Sequence, residues 1–85
     1  MNSRQIECFL EVGKLLNFTK AAQNLYLPQP AVSRYISALE KELETELFIR
    51  ENNRKIRLSE DGKTWYNMLL RFSKEFNETR EHLKN

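Results

Sequence analysis

Two short apolar stripes at helical spacing, separated by a stretch that cannot continue a helix, constrain this chain more than any other feature. Within Phe18 to Leu43, FTKAAQNLYLPQPAVSRYISALEKEL, the first stripe is Phe18, Ala21, Ala22 and Leu25. The second is Val32, Ile36, Leu39 and Leu43. Between them Pro28 and Pro30 remove backbone donors and bias Leu27 and Gln29 away from the α region. The two helices must meet at a tight corner and share one core, which is a helix-turn-helix pattern.

The outward face of the second helix suggests what the corner is for. At about 100° per residue, Pro30, Ser33, Arg34, Ser37 and Lys41 fall opposite the apolar stripe. Small residues let a helix settle into a DNA major groove, an Arg can fork onto guanine O6 and N7, and Gln or Ser can meet base edges. The acidic Glu40, Glu42, Glu44 and Glu46 come late, outside a groove entered by the N-terminal end of the helix. A plain solvated face is the competing reading, and the corner together with the residue sizes favours groove reading.

The 85 residues make one small domain, and 40% hydrophobic content supports a modest core but no deep enclosed active site. A net charge of +2 says little by itself. Its distribution says more: from Ile49 to Leu58, Arg50, Arg54, Lys55 and Arg57 face Glu51 alone, a local excess of +3. Cys8 is the only cysteine, so no intramolecular disulfide and no cysteine-rich zinc site can form, and a reducing cytoplasm is the simplest compartment. No run approaches the ~20 apolar residues that span a bilayer, and no leader is visible.

Ser3 to Leu16 is predicted as the first helix, with Ile6, Phe9, Leu10, Gly13 and Leu16 on one face and Gly13 marking a close approach by another group. Asn17 or Thr19 caps the next helix, and the Thr19 hydroxyl suits a phosphate equally well. After Leu43 the period changes. Leu47 and Ile49, then Ile56 and Leu58, recur two apart around the turn-prone Asn52-Asn53, predicting a hairpin. Beside a helix-turn-helix such a hairpin is a wing, and Arg50, Arg54 and Lys55 on it suit backbone phosphates or the minor groove. Ser59, Glu60 and Asp61 start a last helix, which from Glu60 to Lys84 runs about 37 Å. Trp65, Met68, Leu69, Phe72, Phe76 and Leu83 recur down one side of it. The distal part has no local partner, so this side is expected to be a dimer interface, while Tyr66 and Leu70 anchor the helix to the body.

The segments NFTKAAQNL, QPAVSRYISALEKEL and LFIRENNRKIRLSEDG, at these intervals, resemble the N-terminal DNA-binding domain of LysR-type transcriptional regulators, over nearly the whole chain. The resemblance implies a mainly α fold: three helices and a two-stranded β wing over residues 1–58, then a long linker helix over 59–85 that pairs with its mate in a dimer. It also implies a C-terminal effector-binding domain absent from this chain, through which a small-molecule effector acts, and a full-length parent that is a dimer or tetramer. By position, Gln29, Pro30, Ala31, Ser33 and Arg34 match the recognition-helix residues that meet bases and phosphates, and Arg50 and Arg54 match wing positions. The chain departs from the pattern at Pro28, where the family has a capping Ser, at Tyr35 in place of Gln, and at Glu44 in place of a helix-ending Gly.

These readings converge on a sequence-specific, DNA-binding transcriptional regulator of a bacterial cytoplasm. As a homodimer it would place recognition helices in successive major grooves of an interrupted, palindromic, AT-rich site, with the wing on the backbone or minor groove. The alternative is a winged-helix protein-interaction module dimerising through its last helix. An enzyme is not expected: the lone His82 lies with Glu78 and Glu81 on a polar face, and no nucleophile elbow or phosphate-cradling glycine loop appears. No cofactor or metal is called for.

Overall fold

The computed structural model describes residues 1–52 and 55–84, and over these the chain runs α1 (Ser3–Leu15), α2 (Phe18–Leu25), α3 (Gln29–Leu43), β1 (Phe48–Arg50), β2 (Ile56–Leu58) and α4 (Glu60–Lys84). Helix α1 starts on a reciprocal cap. The Asn2 carboxamide oxygen accepts from the Gln5 N–H at 2.8 Å, and the Gln5 side chain accepts from the Asn2 N–H at 3.1 Å, satisfying two donors that a helix start leaves unpaired. Asn17, not Thr19, caps α2, accepting from the Lys20 N–H at 2.9 Å.

Helix α3 begins one residue earlier than the proline pattern predicts. Pro28 is its N-cap, without a side-chain cap bond, and Gln29 is already helical. Pro30 is tolerated because its missing N–H falls among donors that have no intrahelical partner in any helix. The first three helices all stop on a left-handed non-glycine residue: Leu16 (φ 52), Tyr26 (φ 56) and Glu44 (φ 56). At the third, the Glu44 and Thr45 N–H groups turn back onto α3 carbonyls, so orphan acceptors are satisfied in return for the backbone cost of a side chain in this region. The predicted first-helix face shifts accordingly: Leu16, turned out by its cap, is 42% exposed, and Cys8 and Val12 join Phe9 in the core instead.

That core is built from Phe9 and Val12 of α1, Ala21 and Ala22 of α2, and Val32, Ile36 and Leu39 of α3, closed by Leu47, Phe48 and Leu69. Two alanines on α2 bring three helices close together around large side chains. The predicted inward stripe of α3 is therefore correct, with Leu43 packed at its edge. The Cys8 thiol is fully enclosed, and burial pushes its pKa up, against a smaller downward pull from Arg4.

The strands pair antiparallel, with Phe48 opposite Leu58, Ile49 opposite Arg57 and Arg50 opposite Ile56. The hairpin was expected, but its phase differs from the predicted Leu47/Ile49 alternation. Leu47 is buried before the strand begins, Phe48 is the inward strand residue, and Ile49 lies on the other face with Arg57. Period two then puts Arg50 on the same side as Phe48.

Ser59 joins the wing to α4. Its hydroxyl donates to the Glu46 carbonyl at 2.6 Å and accepts from the Gly62 N–H at 2.8 Å, while Glu60 and Asp61 lie at the positive end of the helix. A Cβ on Gly13 would lie 2.7 Å from the Tyr66 ring, so the close approach predicted at that glycine is made by α4. Tyr66 packs on the core as expected, but the second anchor is Leu69, 2% exposed, and not Leu70, which is 43% exposed. No described helix is long and apolar enough to cross a membrane.

Candidate nucleic-acid interface

The residues singled out on α3 form one uncovered face. Gln29, Pro30, Arg34 and Ser37 are exposed, and Ala31 and Ser33 are half-buried at its margin. The Arg34 guanidinium forms no ion pair or hydrogen bond with any described residue, so its five donors are unspent. Thr19, exposed at the start of α2, donates its hydroxyl to the Gln29 carboxamide oxygen at 3.0 Å. This bond ties the two helices of the corner together and leaves the Gln29 amide donors pointing elsewhere. Tyr35, which departs from the family pattern on this helix, is half-buried and packs against the core.

On the wing side, Arg50 lies with its guanidinium carbon 4.9 Å from the centre of the Phe18 ring. The two side chains line a crevice of about 80 Å³ with Ser33, Ser37 and Glu40 of α3, so this cation belongs to the α3 face as well as to the hairpin. Lys55 is exposed, and its N–H donates to the Asn52 side-chain oxygen at 3.0 Å. Arg57 is held by Glu51 at 2.6 Å, so the local excess of +3 rests on Arg50, Arg54 and Lys55. Arg54 lies outside the described residues.

Glu40, read from the sequence only as a late repelling charge, is a structural acceptor. Its carboxylate accepts from the Leu47 N–H at 2.7 Å and the Phe48 N–H at 3.4 Å, fastening β1 to the outer turn of α3. Glu40→Ala would leave those part-buried donors unpaired and is expected to cost about 2 kcal/mol in urea denaturation, with the Leu47 and Phe48 amides exchanging hydrogen faster. Neither Glu40 nor Phe18 was singled out as functional in the sequence. The available signal was spacing: Glu40 follows Ser37 by one turn and Ser33 by two, and shares their side of the helix.

On α4 the residues expected at a dimer interface divide in two. Leu69 belongs to the core of its own chain and Trp65 packs against it, so Leu69 is not available to a partner, a correction that follows from how closely the first turns of α4 approach α1. Met68, Phe72, Phe76 and Leu83 are 38%, 52%, 54% and 77% exposed. Phe72 and Phe76 lie with ring centres 6.1 Å apart, and Arg80 covers part of Phe76 at 5.9 Å. Between α1 and α4 runs an open groove of about 730 Å³, with Ile6 and Leu10 on one wall and Leu70 and Phe76 on the other.

Three helices around one core, a corner made by α2 and α3, a two-stranded ribbon against that corner and an uncovered α3 face define a winged helix-turn-helix. Residues 3–63 match the family described as bacterial regulatory helix-turn-helix proteins, lysR family. The chain belongs to the lysR family. It is 50% identical over 58 residues to the uncharacterized HTH-type transcriptional regulator YwbI of Bacillus subtilis (strain 168), covering 68% of this chain and 19% of that protein. It is 44% identical over 66 residues to the HTH-type transcriptional regulator CatR of Pseudomonas putida, covering 78% and 22%. The chain thus spans about a fifth of the length of these relatives. Among solved structures, the BenM DBD/benA site 1 DNA complex matches with a TM-score of 0.93 at 28% identity, over 99% of this chain and 93% of that one. The CbnR DBD–DNA complex matches with 0.92 at 27% identity, over 99% and 95%.

Proposed function

We propose that this chain is the sequence-specific DNA-binding part of a transcriptional regulator in a bacterial cytoplasm. The observation that carries this reading is the uncovered N-terminal half of α3, where Arg34, without an ion pair among the described residues, projects between Gln29 and Ser37, with Arg50 beside the same face. Relatives named as transcriptional regulators and similar folds solved with DNA support it. The α3 face enters the major groove, Arg34 reads bases, and Arg50, Arg54 and Lys55 meet backbone phosphates or the minor groove. Residues 1–58 make the binding domain, and 59–85 begin the linker, although the first turns of α4 are packed into that domain.

The chain acts as a homodimer on an interrupted, roughly palindromic site. Phe72, Phe76 and Leu83 support this, because apolar side chains repeating along an exposed helix face are better stabilised against a second copy than against water. A small-molecule effector would act through a further domain.

Selection of bound duplexes from a genomic pool, followed by titration of the selected site, tests both statements. The expected stoichiometry is two chains per site. Arg34→Ala is expected to cost about 1 to 3 kcal/mol on the selected duplex and little on a random one, relaxing specificity. Equal weakening on both duplexes would refute the base-reading role of Arg34.

A further inference from the structure

We infer that Phe18 is a positioning residue for DNA binding: its ring stacks on the Arg50 guanidinium and fixes the wing cation beside Ser33 and Ser37. This rests on the reading of α3 and the wing as a DNA interface. Three observations place it. Period two in β1 puts Arg50 on the inward side with Phe48, and the guanidinium carbon then lies 4.9 Å from the Phe18 ring centre. The Phe18 ring is itself held by the edge of Phe48, ring centres 6.0 Å apart at 63°, so the platform is rigid. No described carboxylate pairs with Arg50, and the nearby Glu40 is engaged by the Leu47 and Phe48 N–H groups.

An arginine on a two-stranded hairpin ordinarily samples many rotamers and loses that freedom on meeting a phosphate. Stacking removes part of this loss before contact and leaves the edge donors of the planar guanidinium free, because the ring takes only its face. Phe18 also lines a second hollow with Thr19, Gln29 and Arg50, so one aromatic ring borders both the start of the recognition helix and the wing. A backbone phosphate between α3 and the wing would meet the Arg50 guanidinium and the Ser33 and Ser37 hydroxyls as one preformed set.

The test is a double-mutant cycle on random-sequence duplex DNA, measured by fluorescence anisotropy over a series of salt concentrations. Phe18→Leu, which keeps an apolar side chain and removes the π face, is expected to weaken binding by about two- to fivefold. Its slope of log K against log salt should move toward that of Arg50→Gln. Phe18→Tyr should retain wild-type binding, and Phe18→Leu should add nothing in an Arg50→Gln background. Equal losses in both backgrounds, or an equal loss in Phe18→Tyr, would overturn the inference and leave Phe18 a packing residue. Should Phe18→Leu fold poorly, NMR of the unaltered chain decides: the Arg50 δ-methylene protons should be shifted upfield by the ring, and random-coil shifts would overturn the stack. Failure of the unaltered chain to bind any duplex at low salt would instead overturn the DNA-binding reading.

Discussion

Gly62→Ala is expected to lower the stability of this chain by about 3 kcal/mol or more. A Cβ at this position would lie 2.1 Å from the Leu47 carbonyl oxygen and 3.1 Å from the Ser59 hydroxyl. The glycine is not needed for backbone freedom, since it is helical and no glycine here has a positive φ. It is needed because two stretches of backbone touch. The Leu47 carbonyl cannot give way easily, as it accepts from the Ser59 N–H at 2.9 Å, while the Ser59 hydroxyl is engaged with Glu46 and Gly62. Moving α4 outward would open this cap and withdraw Leu69 from the core. For 85 residues, total stability is on the order of 4 to 13 kcal/mol, so the loss is a large fraction of it. Urea denaturation followed by far-UV circular dichroism measures it, and a change within about 0.5 kcal/mol of the unaltered chain would show that the start of α4 can shift without penalty. Gly13→Ala should lose less, because its clash is with the edge of the Tyr66 ring, which can tilt, rather than with backbone.

Most of the architecture was legible because it depends on periodicity and on two prolines. The α2 and α3 stripes fixed which faces turn inward, Pro28 and Pro30 located the corner, and Ser59-Glu60-Asp61 marked the start of α4. What was not legible depends on contacts between residues distant in sequence or on backbone geometry with weak local signals. Leu16 and Tyr26 carry no mark of a left-handed cap, because the residues usually found there are Gly or Asn. Glu44 was recognisable only by its departure from a family pattern. The phase of the wing is not legible at Leu47 and Phe48, where two adjacent apolar residues are both buried and period two cannot choose between them. The anchor at Leu69 rather than Leu70 is hidden for a related reason: neighbouring leucines on a helix differ by about 100°, and only the position of α1 decides which one faces the core.

The candidate interface was legible as a face but not as a set of linked groups. Arg34 and Ser37 could be placed outward by subtracting the apolar stripe. That Thr19 bonds Gln29, that Glu40 fastens β1, and that Arg50 rests on Phe18 depend on how α2, α3 and the hairpin converge. One- and two-turn spacings show which residues share a helix face, but a partner on another element enters only when the core has set the distance between them. The same core residues therefore position the functional side chains, and one of them does so on two sides.

Phe9→Ala is expected to destabilise the chain by about 3 to 5 kcal/mol, because the side chain is fully enclosed and its neighbours come from separate elements that can collapse only partly into the space left. The Phe9 ring meets Phe48 of the wing edge-on with ring centres 5.6 Å apart, and Tyr66 of α4 at 6.0 Å on another side. Each contact adds a directional preference to the area buried. Losing the ring releases both at once: Phe48, which supports Phe18 and through it Arg50, and Tyr66, which seats α4 over Gly13. Phe9→Leu keeps most of the volume and should lose distinctly less, leaving a folded chain in which the aromatic contacts alone are absent. Urea denaturation of the two variants separates cavity formation from ring geometry. Hydrogen exchange at Phe48 and Leu69 then reads the two sides separately, and both are expected to lose protection in Phe9→Ala. Loss confined to one side would mean that the wing and α4 are held by independent contacts, and that Phe9 is not the residue joining them.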